Sequence, residues 1–145
     1  MKEFDLPDIK IFSLEIWIHG RQFPDSEDYW DSNWMVYSAK CTDIGSEVFV
    51  QNTYFHLNEI KVLLEKLEIL YSELKGEIKF DFMEPELSLK FLVDKLGHIS
   101  LEVNITPDQL NQNHTYSFAI DQSYLPKIIN DLKSVLIKYP IKNVT

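Results

Sequence analysis

Few side chains in this chain have the chemistry for catalysis, and their spacing determines what they could do. Four histidines (His19, His56, His98, His114), one cysteine (Cys41) and the carboxylates of Asp81, Glu84 and Glu86 are the groups suited to acid–base or nucleophilic work. A histidine beside a carboxylate can move a proton, and two carboxylates facing each other across a short gap can act as acid and base. The histidines here are scattered over strand ends and loops, where a solvated polar role is the simpler reading. Glu84-Pro85-Glu86 directly precedes a stretch of alternating polarity, the usual place for edge or solvent-face charges. Cys41 has no CxxC partner and no HExxH occurs, so thiolate and zincin-type sites are not expected. The four glycines build neither GxGxxG nor GxxxxGK[ST]. The expectation is a protein with no catalytic centre, no metal and no cofactor.

One segment has a different character. Phe23 to Trp34 reads Phe-Pro-Asp-Ser-Glu-Asp-Tyr-Trp-Asp-Ser-Asn-Trp, in which Asp25, Glu27, Asp28 and Asp31 interleave with Phe23, Tyr29, Trp30 and Trp34. An EF-hand-like calcium loop needs ligands at set spacing, a central glycine and a terminal glutamate, and the segment does not fit that pattern. Exposed tryptophan and tyrosine anchor interfaces because they bury large area for little rotamer entropy, and flanking acids would select a basic partner. The same tryptophans could instead plug the end of a sheet, with Asp31 and Asn33 capping turn amides. In either case Asp25, Glu27 and Asp28 are expected at the surface.

These residues need a scaffold. A chain of 145 residues is the size of one domain, expected to span 1–145, and can bury an ordinary apolar core. Hydrophobic residues at 45%, charged residues at 26%, four glycines and six prolines argue against a linker or a disordered chain. Fourteen basic residues against 23 acidic ones leave a formal net charge of −9. That surface disfavours nucleic acid and membrane and attracts a basic protein, although many cytoplasmic proteins are acidic for solubility alone. The opening Met1-Lys-Glu-Phe-Asp-Leu-Pro-Asp8 carries acids where a signal peptide needs an apolar run. No apolar stretch approaches the ~20 residues of a membrane span, and a lone cysteine cannot form an internal disulfide. Together these features point to the cytoplasm.

Periodicity predicts the elements. Ile9–His19 alternates like a half-buried strand, with Phe12, Leu14, Ile16 and Ile18 apolar. Trp34–Cys41 and Glu47–Tyr54 read as a hairpin turning at Thr42-Asp43-Ile44-Gly45. Leu57–Leu74 carries an apolar stripe from Ile60 to Leu74, with Asn58 as expected N-cap and Gly76 as the left-handed closing residue. Strands follow at about 77–83, 86–93 and 98–105. Matching the apolar faces of the last two sets Leu89 opposite Val103 and Lys90 opposite Glu102, with Lys95-Leu96-Gly97 as the loop. A last strand at 115–120 leads to a helix at about 124–139, bounded by Pro126 and Pro140. The expected fold is α+β: a largely antiparallel sheet of about seven strands, with two amphipathic helices packed on one face.

Tyr29-Trp30-Asp31-Ser32-Asn33-Trp34 resembles the YWDxNWL-like signature of WapI-type immunity proteins from bacterial contact-dependent toxin systems. The likeness extends to Glu84-Pro85-Glu86-Leu87, Leu96-Gly97-His98-Ile99 and Asp121-Gln122-Ser123-Tyr124-Leu125. Ser32 stands where the pattern has glycine, and Met35 where it has leucine. The resemblance implies a cytoplasmic antidote that binds and blocks a cognate toxin domain, commonly a nuclease. Combined with the residues, it makes Asp25, Glu27, Asp28, Tyr29, Trp30, Asp31 and Trp34 the expected contact set. A small-molecule or carbohydrate-binding module built on the same tryptophans is the alternative, and a homodimer through a sheet edge is a further expectation.

Overall fold

Two runs of strands joined by tight turns fold into two antiparallel meanders, with long helices after each. The computed structural model describes residues 5–143; Met1–Phe4, where the N-terminal reading begins, and residues 144–145 lie outside the described residues. The first meander holds β1 (Ile9–Ile11), β2 (Leu14–Arg21), β3 (Trp34–Asp43) and β4 (Ser46–His56), with a one-turn helix α1 (Tyr29–Ser32) between β2 and β3. Helix α2 (Leu57–Glu73) leads to the second meander: β5 (Gly76–Asp81), β6 (Leu87–Val93), β7 (Ile99–Ile105) and β8 (Thr115–Ile120). A single 3₁₀ turn at Gln122–Tyr124 opens the last helix, α3 (Leu125–Lys138). Strand order is sequential in each sheet, and every pairing is antiparallel.

The α+β antiparallel expectation holds, with two differences in detail. Among the described residues the strands number eight, and they form two sheets of four. The additional strand comes from the run 9–19, which turns back on itself at Phe12-Ser13, with Ile11 paired to Leu14. A two-residue hairpin of this kind needs a positive φ, and Phe12 adopts φ 56°. The signal lay in the phase of the alternation. Ile9 and Ile11 point inward at odd positions, and Leu14, Ile16 and Ile18 point inward at even ones. The sheets separate because α2, with 17 residues, carries the chain about 25 Å from the end of β4 before β5 begins.

Leu87, Leu89, Phe91 and Val93 of β6 and Ile99, Leu101, Val103 and Ile105 of β7 are all buried, and the alternate residues face outward. The register follows the sequence reading: Leu89 opposes Val103, Lys90 opposes Glu102, and Gly97 takes φ 83° in the connecting loop. The ion pair differs from that expected. Lys90 faces Lys79 on its other side, and Glu77 lies 3.7 Å from Lys79 and 3.8 Å from Lys90, relieving the like-charge opposition. Helix α2 packs against α3, β4 and β5; α3 also meets β1; and β7 meets β3 and β4. One apolar cluster therefore draws side chains from both sheets and both long helices. Leu67 on α2 and Leu132 on α3, both fully buried, each contribute about 1.5–3 kcal/mol by leaving water. Among the described residues no helix is long and apolar enough to cross a membrane.

Helix α2 is capped by residues other than those its sequence suggested. His56, not Asn58, is the N-cap, and the left-handed residue at the C-terminus is Leu74 (φ 51°, ψ 41°), two positions before Gly76. Leu74 N–H closes the last turn on the Leu70 carbonyl at 2.7 Å. Gly76, with φ 100°, starts β5.

Candidate functional site

The aromatic-acidic segment is an ordered loop with several ties. Its base closes where Gln22 N–H donates to the Trp34 carbonyl at 2.8 Å. Asp28 is the N-cap of α1, its carboxylate accepting from Asp31 N–H at 3.0 Å, and its own N–H donates to Ser26 Oγ at 3.2 Å. The capping role expected of Asp31 therefore belongs to Asp28, three residues earlier, whose carboxylate satisfies the free amide of the third helical residue.

Asn33 is fully buried and acts as a clamp. Its Nδ2 donates to the Tyr29 carbonyl at 2.8 Å and to the Lys142 carbonyl at 3.0 Å, while its Oδ1 accepts from Lys142 N–H at 2.8 Å. The Asn33 carbonyl accepts from Leu57 N–H at 2.9 Å, which ties the loop to the start of α2. Arg21 joins the same pieces, donating to the Ser32 carbonyl at 2.8 Å and to the Pro140 carbonyl at 2.6 Å. Burial lowers the pKa of its guanidinium.

Under α1 lies His56, fully buried at the end of β4 and opposite Trp34 in the β3–β4 register. The ring stacks on Trp30 (centroids 4.6 Å apart, planes at 23°) and meets Trp34 edge-on at 5.4 Å, with Tyr29 at 5.6 Å. Nδ1 accepts from Asn58 N–H at 3.1 Å, so the proton resides on Nε2, which donates to the Trp30 carbonyl at 3.1 Å. Glu59 completes a capping box, accepting from His56 N–H at 2.9 Å and from Met83 N–H at 2.8 Å. Burial lowers the His56 pKa and raises that of Glu59. The imidazole is thus a neutral, fixed plate. Its sequence signal was His56 three residues before Glu59, a capping box with histidine in place of serine or threonine.

On this plate Trp30 remains 48% exposed, while Tyr29 and Trp34 are half-buried. Asp25, Glu27, Asp28 and Asp31 are exposed, and among the described residues none has an ion-pair partner within 4 Å. Of the seven expected contact residues, Asp25, Glu27, Asp28, Trp30 and Asp31 are exposed and Tyr29 and Trp34 half-buried; six lie between β2 and β3 and Trp34 opens β3.

The other chemistry-bearing residues lie apart. His19 Nε2 bonds Ser38 Oγ at 2.8 Å, His98 sits 3.4 Å from Asp94 at the β6–β7 turn, and His114 pairs with Gln112 in the loop before β8. Glu86 accepts from Thr53 Oγ1 at 3.2 Å, and Asp81 is exposed at the end of β5. Cys41 is buried, which pushes its thiol up to about 12, outside the range of a nucleophile near neutral pH. Tyr37 buries its hydroxyl without a hydrogen-bond partner among the described residues, and burial raises its pKa. Among the described residues no three His, Cys, Asp or Glu side chains are grouped to hold a metal ion.

Two antiparallel meanders, two long helices and an aromatic loop clamped by Asn33 and Arg21 define an α+β protein. The chain belongs to the immunity protein WapI-like family, whose family model matches residues 6–140. The resemblance carried by Tyr29–Trp34 thus extends over nearly the whole chain. No curated protein and no solved structure matches it.

Proposed function

We propose that this chain is an antidote that binds a cognate bacterial toxin domain in the cytoplasm and occludes a basic active cleft. The contact set is Asp25, Glu27, Asp28, Tyr29, Trp30, Asp31 and Trp34. A nuclease is the toxin class that fits best, because a cleft shaped for phosphate carries the positive potential that a −9 chain would seek. The protein acts by binding and is not an enzyme. The observation that carries this reading is the half-exposed Trp30 ring held flat on the buried His56 plate, in a segment whose exposed carboxylates have no ion-pair partner among the described residues. An indole fixed before the encounter loses little entropy on binding, and unpaired acids steer a basic partner.

Membership in an immunity family supports toxin binding, and the loop geometry supports this face as the place. A carbohydrate or small-molecule reading needs a concavity at Trp30. A groove of about 400 Å³ is lined instead by Lys10, Phe12, Ser13, Tyr124, Lys127 and Ile128, away from Trp30.

The test uses the toxin domain encoded beside this chain and follows association and dissociation separately. Reversing Asp25, Glu27 and Asp31 to lysine, and sparing Asp28 because it caps α1, should slow association at least about 10-fold at low salt. The deficit should shrink as ionic strength rises. Trp30→Ala should chiefly speed dissociation. Unaltered kinetics in both variants would move the contact surface to another part of the molecule.

A further inference from the structure

Two open sheets leave four edge strands, and three of the four are guarded. Proteins blunt sheet edges with charges, proline, bulges or brevity, since an unguarded edge pairs with other chains. Strand β1 has three residues, and its Lys10 N–H is taken by the Asp131 carboxylate at 3.0 Å. Strand β4 carries Glu47, is bulged where it passes Tyr37 and Ala39, and has Asn52 at φ 57°. Strand β5 exposes Glu77, Lys79 and Asp81.

Strand β8 has none of these protections. Thr115-Tyr-Ser-Phe-Ala-Ile120 contains no charge and no proline, and its register with β7 runs without a break. Ile105 N–H donates to the His114 carbonyl at 3.0 Å, which sets the phase of the ladder. Tyr116, Phe118 and Ile120 therefore bond to β7, and the amides and carbonyls of Thr115, Ser117 and Ala119 point away from it. These three residues are exposed, and their outward backbone groups make no hydrogen bond among the described residues.

We propose that β8 is the seam of a two-fold homodimer. It pairs antiparallel with β8 of a second copy, Ser117 opposite Ser117, and fuses two four-stranded sheets across the axis. Three outward residues per strand, each donating once and accepting once, give about six ladder bonds. The charge distribution favours a second copy as the occupant. Any charge near a two-fold axis meets itself, so a chain of net charge −9 can self-associate only along a neutral strip. Glu102, opposite Ser117 on β7, is kept three strand spacings from its counterpart, about 14 Å and beyond the ~8 Å screening length at physiological salt. Asp121, just past the strand, falls opposite Asn113 of the second copy. A basic toxin is drawn to the acids, and β8 offers it none.

Sedimentation of the purified protein from about 1 to 100 µM should show a reversible monomer–dimer equilibrium. Ser117→Pro deletes an amide that points away from β7, so the monomer keeps its own ladder while dimerisation weakens about 100-fold. Ser117→Lys sets like charges on the axis and should weaken the dimer in a way that added salt partly restores. Hydrogen exchange at the Ser117 and Ala119 amides should slow as protein concentration rises. A monomer at every concentration, or a dimer indifferent to both variants, overturns the proposal. A monomer whose toxin complex is weakened by Ser117→Pro also overturns it, and would give the edge to the toxin. None of these readouts depends on the Trp30 face, so the two proposals fail separately.

Discussion

Asn33→Ala separates what the aromatic loop does for the fold from what it does for binding. Truncation removes three hydrogen bonds of 2.8–3.0 Å, to the Tyr29 carbonyl and to both backbone groups of Lys142, together with a longer contact from Arg21 at 3.3 Å. A net value of about 1 kcal/mol for each short bond puts the loss at about 3 kcal/mol. Lys142 is only partly buried, so water replaces some of what its backbone loses and the figure should not rise much further. For a chain of this length the same loss lowers the melting temperature by about 10 °C. Urea unfolding followed by tryptophan fluorescence gives the free energy, and hydrogen exchange at the Lys142 amide reports the tie itself. Asn33→Asp should fare no better, because the group facing two carbonyl oxygens loses its protons. A stability loss under about 1 kcal/mol, or Lys142 exchange that is unchanged, would refute the clamp.

Three further outcomes follow from the same structure. Trp30→Ala, at a half-exposed ring, should cost about 1 kcal/mol of stability but raise the toxin Kd at least about 30-fold; equal losses in both would mark the indole as purely structural. The His56 pKa is held below its ordinary 6.5, so the unfolded chain takes up a proton that the native state resists. The stability due to neutral His56 is complete above about pH 6.5 and is lost as pH falls toward and through the lower folded value, whereas the raised Glu59 carboxyl favours the native state at low pH, an effect that disappears as pH rises through its folded value. Urea titrations from about pH 7.5 to 5.5 should therefore show the wild type losing more stability than His56→Gln, and parallel curves would remove the histidine from the account. Cys41, buried with its thiol raised to about 12, should react with thiol reagents only upon unfolding, so rapid labelling of the native protein would contradict the burial.

Legibility in the sequence followed the strength of local rules. The β6–β7 pair was readable to the residue because both strands alternate cleanly and Gly97 supplies the positive φ of the loop. Both long helices were readable from their apolar stripes. The β1–β2 turn was not, because Phe12 at φ 56° carries none of the usual turn chemistry and only a one-residue phase flip marks it. Its ring rests 5.0 Å from Phe118 and 5.3 Å from Tyr124, so tertiary packing holds a conformation that local propensity disfavours. The division into two sheets escaped for a related reason: alternation fixes a face but not the partner. At the candidate site Asp25, Glu27 and Asp28 are exposed as expected, and Trp30, which the sequence left open between interface and sheet plug, is half-exposed. His56 takes its place from Trp30, 26 residues earlier, and Arg21 takes its tie from Pro140, 119 residues later.

The link between Asn33 and Lys142 spans 109 residues of sequence. A polypeptide still emerging from the ribosome can form the first meander, but it cannot lock the loop until residue 142 is free to reach back. Truncated or prematurely released chains would therefore carry the tryptophans without the fixed platform beneath them. The aromatic face takes its final shape only once residue 142 has been made and has folded back onto Asn33.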